Sequence, residues 1–329
     1  MGEFELLARL RERLPQDGPR VKLGSGDDAA VTVPGGATAT SVDAIVEGVH
    51  FRRADAGLET VGRKAMSTAL SDLAAMGAEA GEAYVVLGAP PDLDEEGFLA
   101  LLDGLLAVAA ETGTTLAGGD VARAPALTLA VTVVGHAAAP EQLVTRAGAE
   151  PGDLLVVTGE LGGAVAGRLL LEDPSLAAAV PEDTAERLRA RQLDPTPRLR
   201  SGRALAAAGA RAMIDLSDGL AGDAGHLSRA GGVSLRIDAG SLPLAKGVAE
   251  VAAAAGQDPL QLAAAGGEDY ELLAALPPDS LGEASSRIGE AAETTLTPIG
   301  EVASGEGAEI RLPGGELLET RGYDHFARP

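Results

Sequence analysis

Apolar positions along the 329-residue chain recur at two spacings, near 3.6 residues and at two, and their alternation predicts an α/β protein. Leu58, Val61, Ala65, Ala69 and Met76 fall on one face of a helix over 58–76, and Asp72 projects from the middle of that stripe. An ionised carboxylate placed there costs several kcal/mol, roughly, unless a cation or a set of donors meets it. Pairing with an arginine of a neighbouring helix would answer that cost, and so would a functional cation. This stretch is the one around which the chain is organised.

In chain order, residues 1–14 read as a charged amphipathic helix. Gly24 to Ala30 is a Gly-rich turn carrying Asp27 and Asp28 and feeding a strand (AAVTV), and a second strand over 37–42 ends in Asp43. After the 58–76 helix come a strand over 83–88 and a helix over 94–112 with Phe98, Leu101, Leu102, Leu105 and Val108 at helical spacing. A strand, TTLA, then runs into Gly118, Gly119 and Asp120, and an alternating strand covers 127–134. The boundaries this predicts are an N-terminal domain over 1–137, a linker over 138–150 and a C-terminal α/β domain over 151–329.

The second half begins with strand, Gly-rich turn and helix (151–164), a turn that also serves plain helix-strand packing and lacks GxGxxG. Helices over 182–191 and 198–208 lead to a strand ending in Asp215. Ser217 or Asp218 would cap the helix that runs through His226. Gly266, Gly267, Glu268 and Asp269 precede a strand over 270–276. LSDLA at 70–74 and LSDGLA at 216–221 echo one another, as two halves of related design would.

Composition narrows the chemistry. Aromatic residues make up only 2% of a chain that is 46% hydrophobic, so the core must rest on Ala, Val, Leu and close approach at glycine. With no Cys, disulfides and thiolate sites are excluded, and the four histidines (His50, His136, His226, His325) show no zinc spacing. No apolar run is long enough for a bilayer, and the reading is a cytoplasmic protein. A net charge of −23 argues against nucleic acid and membrane as partners. Only three lysines are present and no GxxxxGK[ST], so a bound polyphosphate would need arginine and chiefly divalent metal. The acid runs at 92–96 and 182–183 read as solvated surface.

Asp27, Asp28, Asp43, Asp72, Asp120, Asp215 and Asp218 stand apart from that surface, at strand ends, Gly turns or within an apolar stripe. Oxygen donors of this kind suit Mg²⁺ or Mn²⁺ bound with substrate phosphates and retained waters, and several ions imply a polyanionic substrate. No EF-hand loop is present to favour a calcium-stabilised structural protein.

GDDAA (26–30), SVDAIVEGVHF (41–51), ALSDLAAMGAEA (69–80), GGD (118–120), IDLSDGLAGDAGHL (214–227), GGEDYELL (266–273) and GYDHFARP (322–329) follow in order over nearly the whole chain. Together they resemble the thiamine-monophosphate kinase family, whose superfamily includes aminoimidazole ribonucleotide synthetase, selenophosphate synthetase and a hydrogenase maturation protein. The resemblance implies two α/β domains: an N-terminal one whose sheet pairs with a second subunit's in a homodimer, and a C-terminal one closing an ATP cleft. It implies γ-phosphoryl transfer from ATP to thiamine monophosphate, giving thiamine diphosphate.

Carried over by motif, Asp27, Ser41, Val42, Asp43, Asp72, Asp120, Asp215 and Asp218 would hold several Mg²⁺ ions. Gly119, Asp120, Arg146 and Ser217 would touch ATP, and His50, Glu268 and Tyr323 would meet the thiamine end. Val42 departs from the family's usual Thr, so either its backbone carbonyl serves or one metal site is weakened. No general base is expected, because a phosphate monoester with a second pKa near ~6 is already anionic at neutral pH. Repulsion between two anions is the obstacle, and bridging metal relieves it.

Overall fold

A computed structural model of the chain describes residues 12–15, 18–24, 29–291 and 294–318. Asp27, Asp28, Tyr323 and most of the 1–14 helix lie outside the described residues. The chain divides into two compact units, residues 1–73 with 78–141, and residues 74–77 with 142–329.

The first unit runs β1 (Val21–Leu23), β2 (Val31–Thr32), β3 (Ala37–Val46), α1 (Leu58–Ala75), β4 (Glu79–Ala89), α2 (Glu95–Thr112), β5 (Thr115–Arg123) and β6 (Thr128–Ala137). β1 and β2 form a small antiparallel pair, and the main sheet has the order β3-β6-β4-β5. Only β4 and β5 are parallel, and α2 supplies the crossover that such a pair requires. α2 starts where the Asp94 carboxylate accepts from the Gly97 N–H at 2.9 Å and stops at Gly113, whose φ of 73° favours glycine. Glu95 and Glu96 lie in its first turn, where the helix dipole favours them.

One face of the sheet is buried, through Ala83, Val85, Leu87, Leu129, Val131 and Val133. Leu73 of α1 packs over Gly135 of β6 on that face. The opposite face leaves Val42 64% and Val86 49% exposed. A buried pair, His136 and Glu82 at 3.0 Å, sits where the β4 register shifts between Ala80 and Glu82.

Several boundaries differ from the sequence reading, for physical reasons. β3 continues through Asp43 to Val46, and β5 continues through Gly118, Gly119 and Asp120 to Arg123. Asp43 and Asp120 are therefore strand-interior residues, not strand ends, because cross-strand hydrogen bonding to β6 and to β4 overrides the local turn signal. α1 is also buried far beyond a single stripe. Lys64, Ser67, Thr68 and Ser71 are buried along with Val61, Ala65, Met66, Ala69 and Leu70, and Met76 falls just past the helix end. LSDLA is helix interior while LSDGLA is the turn after β8 and a helix start, so their likeness is not structural.

The second unit contains β7 (Leu154–Thr158), α3 (Gly163–Glu172), α4 (Glu182–Leu193), α5 (Leu199–Ala207), β8 (Ala212–Asp215), α6 (Leu220–Gly231) and β9 (Ser234–Asp238). It continues with α7 (Val248–Ala254), α8 (Pro259–Ala265), β10 (Leu272–Leu276), α9 (Leu281–Ala291), β11 (Leu296–Ala303) and β12 (Gly307–Arg311). Its sheet has the order β12-β9-β11-β7-β10-β8, parallel only between β12 and β9. β10 is buried along its whole length between β7 and β8, which is why LLAAL is continuously apolar. Leu155, Val157, Ile214, Leu220, Leu227, Leu235 and Leu273 belong to the core on the sheet, and Val165, Leu170, Leu188 and Val251 to a second helical core. No helix among the described residues is long and apolar enough to cross a membrane.

The low aromatic content is compensated by close backbone approach. A Cβ at Gly104 of α2 would lie 1.9 Å from the Glu59 carbonyl of α1, and one at Gly62 would lie 2.1 Å from the Leu101 carbonyl. In isolation Ala at Gly104 would favour the helix by about 1 kcal/mol. The clash is with backbone and costs about 1–3 kcal/mol or more, so packing wins. Gly104→Ala is expected to lower the midpoint of chemical unfolding, and a midpoint raised by the better helix former would contradict this packing.

Candidate functional site

In the first unit, alternation along β3 sets Ser41 and Asp43 on one face and Val42 on the other. Asp72 of α1 meets that first face, and the Ser41 hydroxyl donates to its carboxylate. The expected partner of the helix carboxylate is thus partly a strand hydroxyl. Asp43 stands two residues along the same face, with its own carboxylate accepting from the Ala44 N–H at 2.8 Å. Val42 presents only backbone to the side that carries Ser41, Asp43 and Asp72.

The register of the sheet separates Asp43 from Asp120. Asp43 aligns with Val131, Val85 and Gly119, and Ala44 aligns with Ala130, Val86 and Asp120. The two aspartates occupy opposite edge strands, about 14 Å apart by strand spacing, and their adjacent rows put them on opposite faces of the sheet, Asp120 on the open face with Val86. Gly119 presses so closely on β4 that a Cβ would lie 2.0 Å from the Val85 carbonyl.

His50 lies in the turn after β3, where the Val46 N–H donates to its Nδ1 at 3.1 Å. In the neutral ring that contact leaves the proton on Nε2. The buried Lys64 of α1 donates to the His50 carbonyl at 3.2 Å and holds the turn from beneath.

In the second unit the candidate residues gather around the end of β8. Asp215 is buried at the strand end, and Ser217 and Asp218 follow in the turn. Neither caps α6: its N-cap is Gly219, at φ 99°. The Asp223 carboxylate reaches back to accept from the Asp218 N–H at 3.1 Å. Asp223 was not among the sequence candidates. Its signal was the one used for Asp72, a carboxylate in the stripe of Leu220, Ala224 and Leu227. Burial, with the nearby charges of Asp215 and then Asp218, pushes its pKa up to about 8, and Arg146 pulls the other way. Arg146 thus lies near this acidic group, as does His226, whose pKa is lowered by burial and by Arg229 and Arg146.

Residues 266–271 are laid along the same strand end. The Glu268 N–H donates to the Ser217 carbonyl at 2.8 Å, the Tyr270 N–H to the Leu216 carbonyl at 2.9 Å, and the Leu216 N–H to the Glu271 carbonyl at 2.8 Å. Glu268 and Tyr270 have φ of 66° and 50°, uncommon for side-chain-bearing residues, and β10 begins only after them, at Leu272. A Cβ at Gly267 would lie 2.4 Å from the Ser217 carbonyl, so the approach requires glycine.

The glycine-rich turn after β7 is occupied by the chain itself. The Asp269 carboxylate accepts from the Gly162 N–H at 2.7 Å and the Ala164 N–H at 3.1 Å, filling the anion-binding start of α3. This turn is internal packing, not a phosphate cradle.

Within either unit, no three His, Asp or Glu side chains among the described residues are gathered to hold an ion by themselves. The donors instead come in small sets: Asp43, Asp72 and the Ser41 hydroxyl in one unit, and the mutually repelling Asp215, Asp218 and Asp223 in the other. Mg²⁺ is held in this manner, by one or two carboxylates with the rest of its shell left to phosphate and water. The oxygen-only donor set fits that ion.

Residues 26–137 match the AIR synthase related protein N-terminal domain and residues 150–313 match the C-terminal domain. Fold and site together define the class, the two-part AIR synthase related proteins. The chain is 38% identical to a thiamine-monophosphate kinase of Salmonella typhimurium over 100% of its own length and 99% of that protein's. The crystal structure of thiamine-monophosphate kinase from Stenotrophomonas maltophilia superposes with a TM-score of 0.83 at 35% identity, covering 97% of this chain and 98% of that one. AaThiL complexed with AMPPCP and TMP superposes with a TM-score of 0.77 at 29% identity, covering 99% and 97%. The chain belongs to the thiamine-monophosphate kinase family.

Burial raises the pKa of Asp269 to about 6, against the pull of Arg191 and of the Gly162 and Ala164 amides. Between about pH 4 and pH 6 the folded protein therefore holds this proton more tightly than the unfolded chain, and its contribution to stability falls as pH rises through that window. Unfolding free energies measured from pH 4 to 7 are expected to lose part of this slope in Asp269→Asn. The variant is also expected to be destabilised by about 1–3 kcal/mol at pH 7, since one of the two amides loses its acceptor. An unchanged slope would contradict the assignment.

Proposed function

We propose that the chain transfers the γ-phosphoryl group of ATP to thiamine monophosphate, forming thiamine diphosphate. End-to-end likeness to thiamine-monophosphate kinases carries this reading, together with the superposition on a relative complexed with an ATP analogue and TMP. The acceptor oxygen is already anionic near neutral pH, so the chain's task is to bring two polyanions together and align them, not to remove a proton.

Asp27, Ser41, the Val42 carbonyl, Asp43, Asp72, Asp120, Asp215 and Asp218 would hold Mg²⁺, and Asp223 belongs with the last two through its hydrogen bond to Asp218. Bound there, Mg²⁺ would supply charge neutralisation between the phosphate groups. Arg146 and Ser217 beside Asp215, with Gly119 and Asp120 in the first unit, would take the nucleotide. His50, offering Nε2–H, would meet the thiamine monophosphate, and Glu268 and Tyr323 its cationic ring.

The open sheet face carrying Val42 and Val86, with β3 and β5 as edges unpaired among the described residues, supports a homodimer formed through the first unit. The domain limits of 1–137 and 151–329, joined by 138–150, are part of this reading. So is a cytoplasmic location, where ATP is available and cysteines are not needed.

Thiamine diphosphate formation from ATP, Mg²⁺ and thiamine monophosphate is the direct test, and its absence would defeat the assignment. Asp72→Asn and Asp215→Asn are each expected to lower turnover by at least about a hundredfold, which is ~2.7 kcal/mol of transition-state stabilisation, with circular dichroism unchanged. A wild-type rate in either variant would remove that residue from the site. Val86→Arg is expected to convert a dimer into a monomer in sedimentation, whereas an unchanged mass would place the interface elsewhere.

A further inference from the structure

The turn between β8 and α6, Leu216 to Gly219, carries Ser217 and Asp218 and is held from two sides. On one side the 266–271 segment takes it at three points. The Leu216 N–H donates to the Glu271 carbonyl, while the Leu216 carbonyl accepts from Tyr270 and the Ser217 carbonyl from Glu268. On the other side the Asp223 carboxylate accepts from the Asp218 N–H at 3.1 Å. Asp223 is only 2% exposed, and Leu220, Ala224 and Leu227 of the same helix are buried in the core on the sheet. Its oxygen is therefore offered from a fixed element.

The direction of this bond matters. A side-chain cap accepts from N–H groups inside a helix and stabilises the helix itself. Gly219 occupies the cap position of α6, and a Cβ there would lie 2.8 Å from the Ala265 carbonyl, so no capping side chain fits. Asp223 works the other way, as the back-reaching acid of a capping box does, and fixes an N–H that lies before the helix. That N–H belongs to Asp218, so the bond limits where the Asp218 carboxylate can stand relative to Asp215. The bond needs an acceptor oxygen, which a carboxylate and a neutral amide both have. A third negative charge beside Asp215 and Asp218 adds only repulsion to the turn. We infer that Asp223 is a positioning residue whose oxygen, and not its charge, sets the geometry of Asp215 and Asp218 and with it the affinity for a divalent-metal complex of the nucleotide. The inference rests on the reading of Asp215 and Asp218 as Mg²⁺ ligands.

Calorimetric titration with Mg²⁺ and a non-hydrolysable ATP analogue, which gives a Kd without turnover, is the test on wild type, Asp218→Asn, Asp223→Ala, Asp223→Asn and Asp223→Glu. The KM for thiamine monophosphate and thermal unfolding are measured beside it. Asp223→Ala removes the acceptor and is expected to raise the Kd about tenfold, the scale of one hydrogen bond to a charged group, with the KM for thiamine monophosphate within about twofold. Asp223→Asn restores an acceptor without charge and is expected to recover most of that loss. Asp223→Glu keeps the charge but carries its oxygens one carbon further, and is expected to bind as weakly as Asp223→Ala. Asp218→Asn is expected to raise the same Kd at least as far.

An unchanged Kd in Asp218→Asn would overturn the reading of the pair and the inference with it. With Asp218→Asn impaired, an unchanged Kd in Asp223→Ala would overturn the positioning role alone. So would Asp223→Asn binding more weakly than Asp223→Glu, the order expected of a charge, and this comparison decides by itself if Asp223→Ala does not fold. A rise in the Kd matched by the KM for thiamine monophosphate and tracking a lowered Tm would overturn it too, as the mark of a merely structural residue.

Discussion

A carboxylate with no contact with water, Glu271, is the constraint on which the second unit's site depends. Removing such a charge from solvent costs several kcal/mol, roughly, so it must be met by charge and by hydrogen bonds at once. Arg198 meets it through two nitrogens, Arg191 through a third and Thr158 through a hydroxyl. Those partners come from α4, from the residue just before α5 and from the end of β7, so satisfying one side chain fixes three segments against the start of β10. The strained backbone at Glu268 and Tyr270 survives because this anchor and the bonds to Leu216 and Ser217 over-determine it. Asp215, Ser217 and Glu268 then share one framework, and their relative positions do not depend on a flexible loop.

The acidic clusters follow the opposite logic. Burial first, and then the charges of Asp215 and Asp218, raise the pKa of Asp223. Arg146 offsets only part of it. Carboxylates left in mutual conflict beside one arginine define a place where additional positive charge is stabilising, which is the condition a metal-nucleotide complex would satisfy. Glu271, by contrast, is met by two arginines and a hydroxyl of the chain itself.

Much of this was legible in the residues, where a single local rule decided the outcome. Asp72 in an apolar stripe announced a partner, and Ser41 is one. From residue 29 to residue 215 the order of strands and helices followed from periodicity, whereas β1 was not anticipated. What escaped detection were features set by tertiary pairing. Asp43 and Asp120 sit beside turn-like residues, yet ladder hydrogen bonds carry both strands past them. The stripe on α1 was drawn too narrow because small residues such as Ser67, Thr68 and Ser71 read as polar but are buried. Asp223 carried the same stripe signal as Asp72 and was passed over, whereas the glycine turn at 159–163 gave no sign that Asp269, more than a hundred residues away, fills it.

Val42 shows how the pleat decides what a substitution means. Read as a ligand position, loss of the usual hydroxyl weakens a metal site. β3, however, turns that side chain away from Ser41, Asp43 and Asp72 and onto the open face of the sheet, where it is 64% exposed. What Val42 can offer toward the acidic side is its backbone, which Thr and Val share. Its side chain instead adds apolar area to the open face, in the row of Thr132 and Tyr84 and beside the row of Ala44, Ala130 and Val86. A β-branched apolar residue there favours the strand and leaves the carboxylates on the other face as they were.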